Sequence, residues 1–283
     1  MLTTVTAGPY TVRGVSVGGV YTSIAVPELS VLFDVGIAPR SLGGIDTILL
    51  SHGHADHVGA LPSLLGIRAL HGKTRPPRVV MPREIFGDLT TALAALSKLQ
   101  RWPLYVDALG MSPGDELVLR GDLLVRAVRT FHPVPSLGYV LVRRVAKLRP
   151  ELVGLPGPQI AERRRAGENV TVLEDHLELA YATDTLISAV DHGPELLRAR
   201  VLIIECTFLD ERKSIEAARA GCHIHLDEII ERADRFENEH VVLMHLSQLY
   251  RPDEVAKILD ARVPPTLRRK LIPFVPKSGH WPG

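Results

Sequence analysis

Short apolar runs, each ending in a polar or charged residue, recur along the chain. They occupy residues 31–34, 47–52, 123–132, 201–205 and 241–245. Runs this short and this rich in β-branched residues predict buried strands. Between them, apolar residues recur at helical spacing in residues 85–99 and 226–236. Strands that alternate with helices indicate an α/β protein whose helices pack on sheets.

Composition places the chain among ordinary globular proteins. Of its 283 residues, 46% are hydrophobic and 23% are charged, and the formal net charge is +1. A chain of this length can fold as one domain, and we expect residues 1–283 to do so. Because the net charge is close to zero, a nucleic-acid partner requires a local basic patch.

The sequence also bears on where the protein works. No apolar run approaches the roughly 20 residues that span a bilayer, so we expect no membrane association. The amino terminus lacks the basic and apolar segments of a secretory signal. Two cysteines, Cys206 and Cys222, are too few for a disulfide scaffold. These features together predict a cytoplasmic protein.

Residues 145–175 interrupt the strand and helix pattern with a polar stretch that contains a Gly- and Pro-rich turn. Its basic side chains are Lys147, Arg149, Arg163, Arg164 and Arg165. We interpret this stretch as a basic arm that projects from the body of the domain. The alternative is a solvated surface loop with a short charged helix.

A dense group of metal-ligand residue types follows the run at residues 47–50. The group is His52-Gly-His54-Ala-Asp56-His57. Histidines packed this closely gain nothing in a hydrophobic core, whereas on a turn after a strand their side chains can converge on one point. Imidazole and carboxylate ligands together suit Zn²⁺ or a similar divalent ion. The group therefore predicts a metal site.

Three further ligands come at the ends of other apolar runs, namely His132, Asp184 and His245. Taken singly, each has a plain structural explanation, such as a surface histidine or a helix-capping aspartate. Strand ends at one edge of a sheet, however, are where an α/β scaffold assembles a site. With the first group the total is seven ligands, which fits two metal ions and an open position for water.

The pattern His-x-His-x-Asp-His with the later His132, Asp184 and His245 resembles the metallo-β-lactamase superfamily. The resemblance implies an αβ/βα sandwich, in which two mixed sheets lie face to face between helices. It also implies two Zn²⁺ ions per subunit, with Mn²⁺ or another divalent ion as the alternative. One ion would be held by His52, His54 and His132, the other by Asp56, His57 and His245, and Asp184 would bridge the two.

Within the superfamily the chain resembles the short form of ribonuclease Z. The resemblance lies in residues 14–24, 33–36, 130–139, 205–210, 223–229 and 245–250. It implies endonucleolytic removal of the 3′ trailer from precursor tRNA by a metal-activated hydroxide. It further implies that the arm is a tRNA-binding exosite, with Lys147, Arg149, Arg163, Arg164 and Arg165 at phosphates. The resemblance also implies a homodimer in which each arm clamps substrate bound to the other subunit.

The leaving 3′ oxygen needs a proton, and a histidine beside the metals suits that role. We predict that His223 supplies it and that the Glu205 carboxylate orients His223. His225 is close enough in sequence to compete, and helix capping is the structural alternative for both histidines. Asp56 is predicted to orient the attacking water while it serves as a ligand.

Two other functions stay open on the sequence. The same metal core serves several hydrolyses, so a small-molecule phosphodiesterase, for instance on cyclic nucleotides, is the enzymatic alternative. The non-enzymatic alternative is an RNA-binding subunit that has lost its metals, which the presence of all seven ligands disfavours.

Overall fold

The structure, a computed structural model, describes residues 2–282 and contains two seven-stranded sheets. The strands of the first sheet follow one another in chain order. They are β1 (Thr3–Ala7), β2 (Tyr10–Val17), β3 (Tyr21–Val26), β4 (Val31–Phe33), β5 (Thr47–Leu49), β6 (Arg78–Pro82) and β7 (Asp107–Met111). Pairing is antiparallel from β1 to β4 and parallel from β4 to β7.

The second sheet repeats this plan, antiparallel from its first to its fourth strand and parallel from its fourth to its last. Its strands are β8 (Glu116–Arg120), β9 (Leu123–Arg129), β10 (Leu137–Leu148), β11 (Thr171–Ala182), β12 (Val201–Glu205), β13 (His240–Met244) and β14 (Leu271–Pro273). Each half of the chain therefore builds one mixed sheet.

Ten α-helices occur in residues 2–282. They are α1 (Ala55–Val58), α2 (Leu61–Leu70), α3 (Phe86–Gln100), α4 (Gly157–Arg165), α5 (Ser188–His192), α6 (Pro194–Arg198), α7 (Ile215–Ala220), α8 (Leu226–Ile230), α9 (Pro252–Arg262) and α10 (Pro265–Arg268). No helix in this part of the chain is long and apolar enough to cross a membrane.

Three buried clusters show how the layers stack. The central cluster joins the facing surfaces of the two sheets, where Phe33 of β4 stacks on Tyr181 of β11 at 4.3 Å between ring centroids. A second cluster lies between the outer face of the first sheet and helices α2 and α3. A third lies between the second sheet and the helices that follow it. This is the predicted αβ/βα sandwich, and the fold prediction is confirmed.

The five apolar runs all form strands where the pattern predicts them, but the helices differ in detail. The helix predicted over residues 226–236 ends at Ile230, and a 3₁₀ turn follows at Ala233–Arg235. At this end the Arg232 side chain donates to the Glu228 carbonyl and to Asp191. On α3, the predicted apolar face is partly exposed, with Leu99 at 78%.

The stretch at residues 145–175 is an extension of the β10–β11 hairpin, with α4 near its tip. β10 begins beside the metal-ligand segment, because Ser136 pairs with His52, and it ends at Leu148. At about 3.4 Å per residue, the eleven steps from Leu137 to Leu148 carry the chain roughly 37 Å away. The hairpin tip therefore lies at the opposite end of the sheet from the ligand segment.

Candidate metal centre and active site

The predicted ligands converge at one edge of the sandwich, where β5, β11 and β13 end. His52, His54 and His132 form one group whose ligand atoms all lie within 4.8 Å of one another. Asp56, His57 and His245 form another such group, and Asp184 belongs to a third with His52 and His57. The structure thus brings all seven predicted ligands together.

Asp184 lies between the two groups of ligands. Its Oδ2 is 3.2 Å from His57 Nε2 and 3.4 Å from His245 Nε2. Burial alone would raise the pKa of Asp184, but attraction to His245 and His57 holds that pKa well below its usual range. An aspartate between these histidines suits a divalent cation, since carboxylate and imidazole are ligands that such ions share.

Unpartnered nitrogens test whether the cluster fits a metal. Seven buried side-chain polar atoms of the described residues lack a hydrogen-bond partner, and four belong to the predicted ligands. These four are His52 Nε2, His57 Nε2, His132 Nδ1 and His245 Nε2. A buried imidazole nitrogen without a partner costs free energy unless something occupies its lone pair. The donor set of histidine and aspartate fits Zn²⁺ or a related divalent ion.

In three of these histidines the other ring nitrogen, Nδ1, lies within hydrogen-bond distance of a side-chain oxygen. His52 Nδ1 lies 2.9 Å from Ser51 Oγ, and His245 Nδ1 lies 3.2 Å from Thr207 Oγ1. His57 Nδ1 lies 2.9 Å from Asp34 Oδ2. An oxygen partner on one ring nitrogen fixes the ring orientation and directs the other nitrogen to a metal.

Asp34 is a site residue that the sequence analysis missed. Its carboxylate is fully buried and accepts hydrogen bonds from the Ser51 backbone at 2.7 Å, the Tyr181 hydroxyl at 2.6 Å and His57. Its place at the end of β4, which many aspartates share, and its position in the resembling segment 33–36 were the signals that could have pointed to this role.

The backbone is constrained at three of these strand ends. Asp34, Asp184 and His245 have φ values of 57°, 46° and 58°, in the left-handed region that non-glycine residues seldom adopt. Such conformations persist only where the surrounding structure enforces them, and they concentrate at functional sites. Here they turn each chain sharply as it leaves its strand.

Gly36 allows a close contact between the chain after β4 and the ligand segment at residues 52–57. A Cβ atom added at Gly36 would lie 1.9 Å from the backbone carbonyl oxygen of Asp56. No side chain fits this approach, so only glycine allows the first sheet to contact the Asp56 segment. The Asp56 carboxylate itself lies 3.6 Å from His57 Nε2 and is partly exposed, as the predicted position beside a water requires.

The predicted pair of His223 and Glu205 is in contact. His223 Nδ1 is 3.3 Å from the Glu205 carboxylate, which is fully buried and also accepts from Thr185 N and Thr207 Oγ1. Burial would lower the pKa of His223, but its attraction to Glu205 raises that pKa to about 9. His223 also forms a group of possible ligands with Asp184 and His245, so its ring lies beside the predicted metal ligands.

His225, the competing candidate, has a different role. Its Nδ1 accepts from the Asp227 backbone, its backbone N–H donates to Glu228, and its Nε2 lies 3.1 Å from the Asp210 carbonyl. This is a capping box at the start of α8. Both nitrogens of His225 are engaged away from the cluster, so capping explains this histidine.

The five arm cations lie outside the cluster, and three of them already have acidic partners. Lys147 contacts Glu174 at 2.8 Å, Arg149 contacts Glu151 at 3.3 Å and Arg163 contacts Glu168 at 3.2 Å. Residues 145–175 contain five basic and five acidic side chains, so the arm has no net charge. Of the five arm cations, Arg164 and Arg165 are the two without an ion pair in residues 2–282.

The fold and the ligand cluster define a class of metal-dependent hydrolases. Residues 22–246 match the beta-lactamase superfamily domain, so the chain belongs to that superfamily. Among curated proteins, tRNase Z TRZ1 of Arabidopsis thaliana is 35% identical over 90% of this chain and 92% of its own length. The chloroplastic tRNase Z TRZ2 of the same plant is 33% identical over 94% of this chain and 75% of its own length. Within the superfamily, the chain belongs to the tRNase Z family.

Solved structures agree on the fold. The short form of human tRNase Z superposes with a TM-score of 0.58 at 19% identity, covering 83% of this chain and 92% of the other. Zinc-bound PqqB from Methylobacterium extorquens gives the same TM-score at 15% identity, covering 89% and 84%. At these identities the likeness concerns the sandwich alone.

Proposed function

We propose that this protein is an endoribonuclease that removes the 3′ trailer from precursor tRNA. The observation that carries the proposal is the 35% identity with tRNase Z TRZ1, which extends over nearly the whole of both chains. The arrangement of the site supports it, because every group needed for phosphodiester cleavage has a candidate within contact of the ligand cluster.

The ligand groups support two metal positions. His52, His54 and His132 would hold one ion, and Asp56, His57 and His245 the other, with Asp184 reaching both. When bound, such a pair of divalent ions activates water as a nucleophile and neutralises charge that develops on the phosphate. Zn²⁺ is the ion proposed, two per subunit, and Mn²⁺ fits the same donors less specifically.

The residues around the ions do the remaining work. Asp56 is partly exposed and can align a water for attack on the phosphorus. His223 carries a proton, and its contact with Glu205 through Nδ1 leaves Nε2 to donate that proton to the leaving 3′ oxygen. Glu205 acts as a positioning residue, since its four contacts fix its own orientation before substrate arrives.

The arm is proposed to bind substrate in the other subunit of a homodimer. Its tip lies at the end of the sheet away from its own ligand cluster, roughly 37 Å along β10, so it is better placed to serve a neighbouring site. Lys147, Arg149, Arg163, Arg164 and Arg165 would contact tRNA phosphates, with Arg164 and Arg165 needing no prior ion pair to break.

The test is cleavage of a 3′-extended precursor tRNA by zinc-loaded protein, run beside hydrolysis of a small aryl phosphodiester. A single cut at the 3′ side of the acceptor stem supports the proposal. Diester hydrolysis without precursor cleavage would keep the metal chemistry but move the substrate to a small molecule, the alternative function. Tight RNA binding without either hydrolysis would indicate a non-enzymatic role.

A further inference from the structure

A two-part groove adjoins the ligand cluster on the side of His54 and His132. One part has a volume of about 370 Å³ and includes His54 in its wall. The other has a volume of about 360 Å³ and includes His132. Val134 and Pro135 line both parts and form the ridge between them. Whatever occupies this groove therefore touches two of the predicted metal ligands.

The part beside His54, here called the apolar lobe, has walls suited to a flat ring. Its walls are mostly aliphatic, formed by Val58, Ile85, Leu89, Ala92 and Val134. Val58, Ile85 and Leu89 pack against the core cluster beneath α2 and α3, so these walls are fixed before any ligand arrives. A preformed apolar cavity of this size admits a nucleobase, which buries its faces and leaves its edge for polar contacts.

Asp88 provides such a polar contact. Asp88 lines the apolar lobe, and its side chain forms no ion pair within residues 2–282. A free carboxylate beside an RNA backbone is unfavourable unless it accepts hydrogen bonds. The exocyclic amino groups of cytosine, adenine and guanine are donors of the required kind.

The part beside His132, here called the polar lobe, contains a cation. Arg129 lies exposed in its wall together with Thr130, Ser136 and Glu84. Arg129 makes no ion pair in the part of the chain that the structure describes, unlike Arg126 on the same strand. An unpaired guanidinium next to hydroxyl groups matches a phosphate or ribose.

We propose that this groove holds the nucleotide that flanks the scissile phosphate, with its base in the apolar lobe and its sugar-phosphate at Arg129 in the polar lobe. The inference rests on the proposed function and adds the position and chemistry of a base-binding subsite. Continuity with His54 and His132 favours an RNA nucleotide over another protein as the occupant, since the scissile phosphate has to reach these same residues.

A cycle of protein and substrate changes tests the apolar lobe. Ala92→Trp fills the lobe from an exposed helix position, and Ala94→Trp adds the same ring on α3 outside the lobe. Precursors carry an abasic nucleotide on the 5′ or the 3′ side of the scissile phosphate. At one of these positions the abasic site should lower kcat/KM of the unaltered protein roughly tenfold, as loss of one base contact does.

On the normal precursor, Ala92→Trp should lower kcat/KM by a similar factor, and Ala94→Trp should leave kcat/KM unchanged. The abasic change should then cost Ala92→Trp nothing further, because its lobe is already filled. The subsite would be overturned if the losses in kcat/KM from Ala92→Trp and from the abasic nucleotide multiplied. It would also be overturned if the unaltered protein cleaved both abasic precursors as efficiently as the normal one. Neither outcome would contradict the proposed function. A change of oligomeric state in Ala92→Trp would also overturn the subsite, since it would mark the lobe as a subunit contact.

The edge contact has its own test. Precursors with cytidine at the coupled position should be cleaved more efficiently than those with uridine, and Asp88→Ala should remove the difference. The zinc content of Ala92→Trp and Asp88→Ala should equal that of the unaltered protein, which shows that the ligand cluster is intact, and Ala94→Trp should hydrolyse a small diester at the unaltered rate. Equal use of cytidine and uridine by the unaltered protein would refute the role of Asp88.

Discussion

The Asp34 carboxylate holds His57 Nδ1 at 2.9 Å, and both side chains are completely buried. Asp34 lies at the end of β4, whereas His57 lies in α1 after β5, so the contact ties two neighbouring strand ends together. Ser51 and Tyr181 donate to the same carboxylate. The unpartnered Nε2 of His57 is therefore oriented by a network that reaches from one sheet to the other.

Asp34→Ala should weaken metal binding about 10- to 100-fold, because such outer partners fix the ring orientation and basicity of a ligand. The measurement is zinc affinity by competition with a chelator. Asp253→Ala, which removes an exposed carboxylate on α9, is the control. Unchanged zinc affinity in Asp34→Ala would show that His57 needs no such support.

Asp184→Ala should lose both metal and activity, because this carboxylate lies within 3.4 Å of two ligand histidines. We expect the loss of zinc affinity to exceed the roughly 100-fold upper range for outer partners. Metal content and precursor cleavage are measured on the same preparation. A fully loaded and active variant would refute the bridging position of Asp184.

His223→Ala should keep its zinc and lose about 10²- to 10⁴-fold in kcat, the usual contribution of a positioned acid. His225→Ala is the matched control, because it lies two residues away and caps α8. That control should lower the melting temperature while retaining turnover in the folded protein. Loss of metal from His223→Ala would instead place His223 among the ligands.

Gly36→Ala should disturb the ligand loop, because the new Cβ would overlap the Asp56 carbonyl oxygen at 1.9 Å. A loss of about 1–3 kcal/mol in unfolding free energy is expected, together with weaker zinc binding. Gly44→Ala is the control, since a Cβ there meets no atom within 4 Å. Equal stability and zinc content in both variants would argue against this packing constraint.

Replacing Arg164 and Arg165 by alanine should raise KM for precursor tRNA and leave small-diester hydrolysis unchanged. The slope of log K against log salt should fall by up to about 2, one for each phosphate contact removed. Glu162→Gln on the same helix should act in the opposite direction. Equal losses on both substrates would mean that the arm is structural.

The candidate ligands could be predicted because several of them lie close together in the sequence. Four His and Asp residues in six positions, with single candidates after later apolar runs, sufficed to predict the seven residues that the structure brings together. Asp34 escaped prediction because its function depends on tertiary contact with His57, and an aspartate after a strand has many explanations. The contacts of His225 with Asp210 and Asp227 are equally invisible in the sequence.

The arm shows a different limit. Its cations attract notice in the sequence, yet their neutralisation by Glu174, Glu151 and Glu168 depends on hairpin register and the turn at the tip. The fold class was accessible because strand and helix periods differ. The early end of α8 was not predicted, because apolar residues keep helical spacing as far as Phe236, beyond the end of the helix at Ile230.

Each half of the chain builds its own sheet, and neither half supplies all the predicted metal ligands. His52, His54, Asp56 and His57 follow strands of the first sheet, while His132, Asp184 and His245 follow strands of the second. Bound ions would add a further link between two layers that already meet through side-chain packing and hydrogen bonds such as the one from Tyr181 to Asp34. Ligand binding stabilises only the states that bind it, so metal occupancy would penalise any partial opening that separates the sheets. Resistance to proteolysis would then report metal supply, as well as the quality of the hydrophobic core.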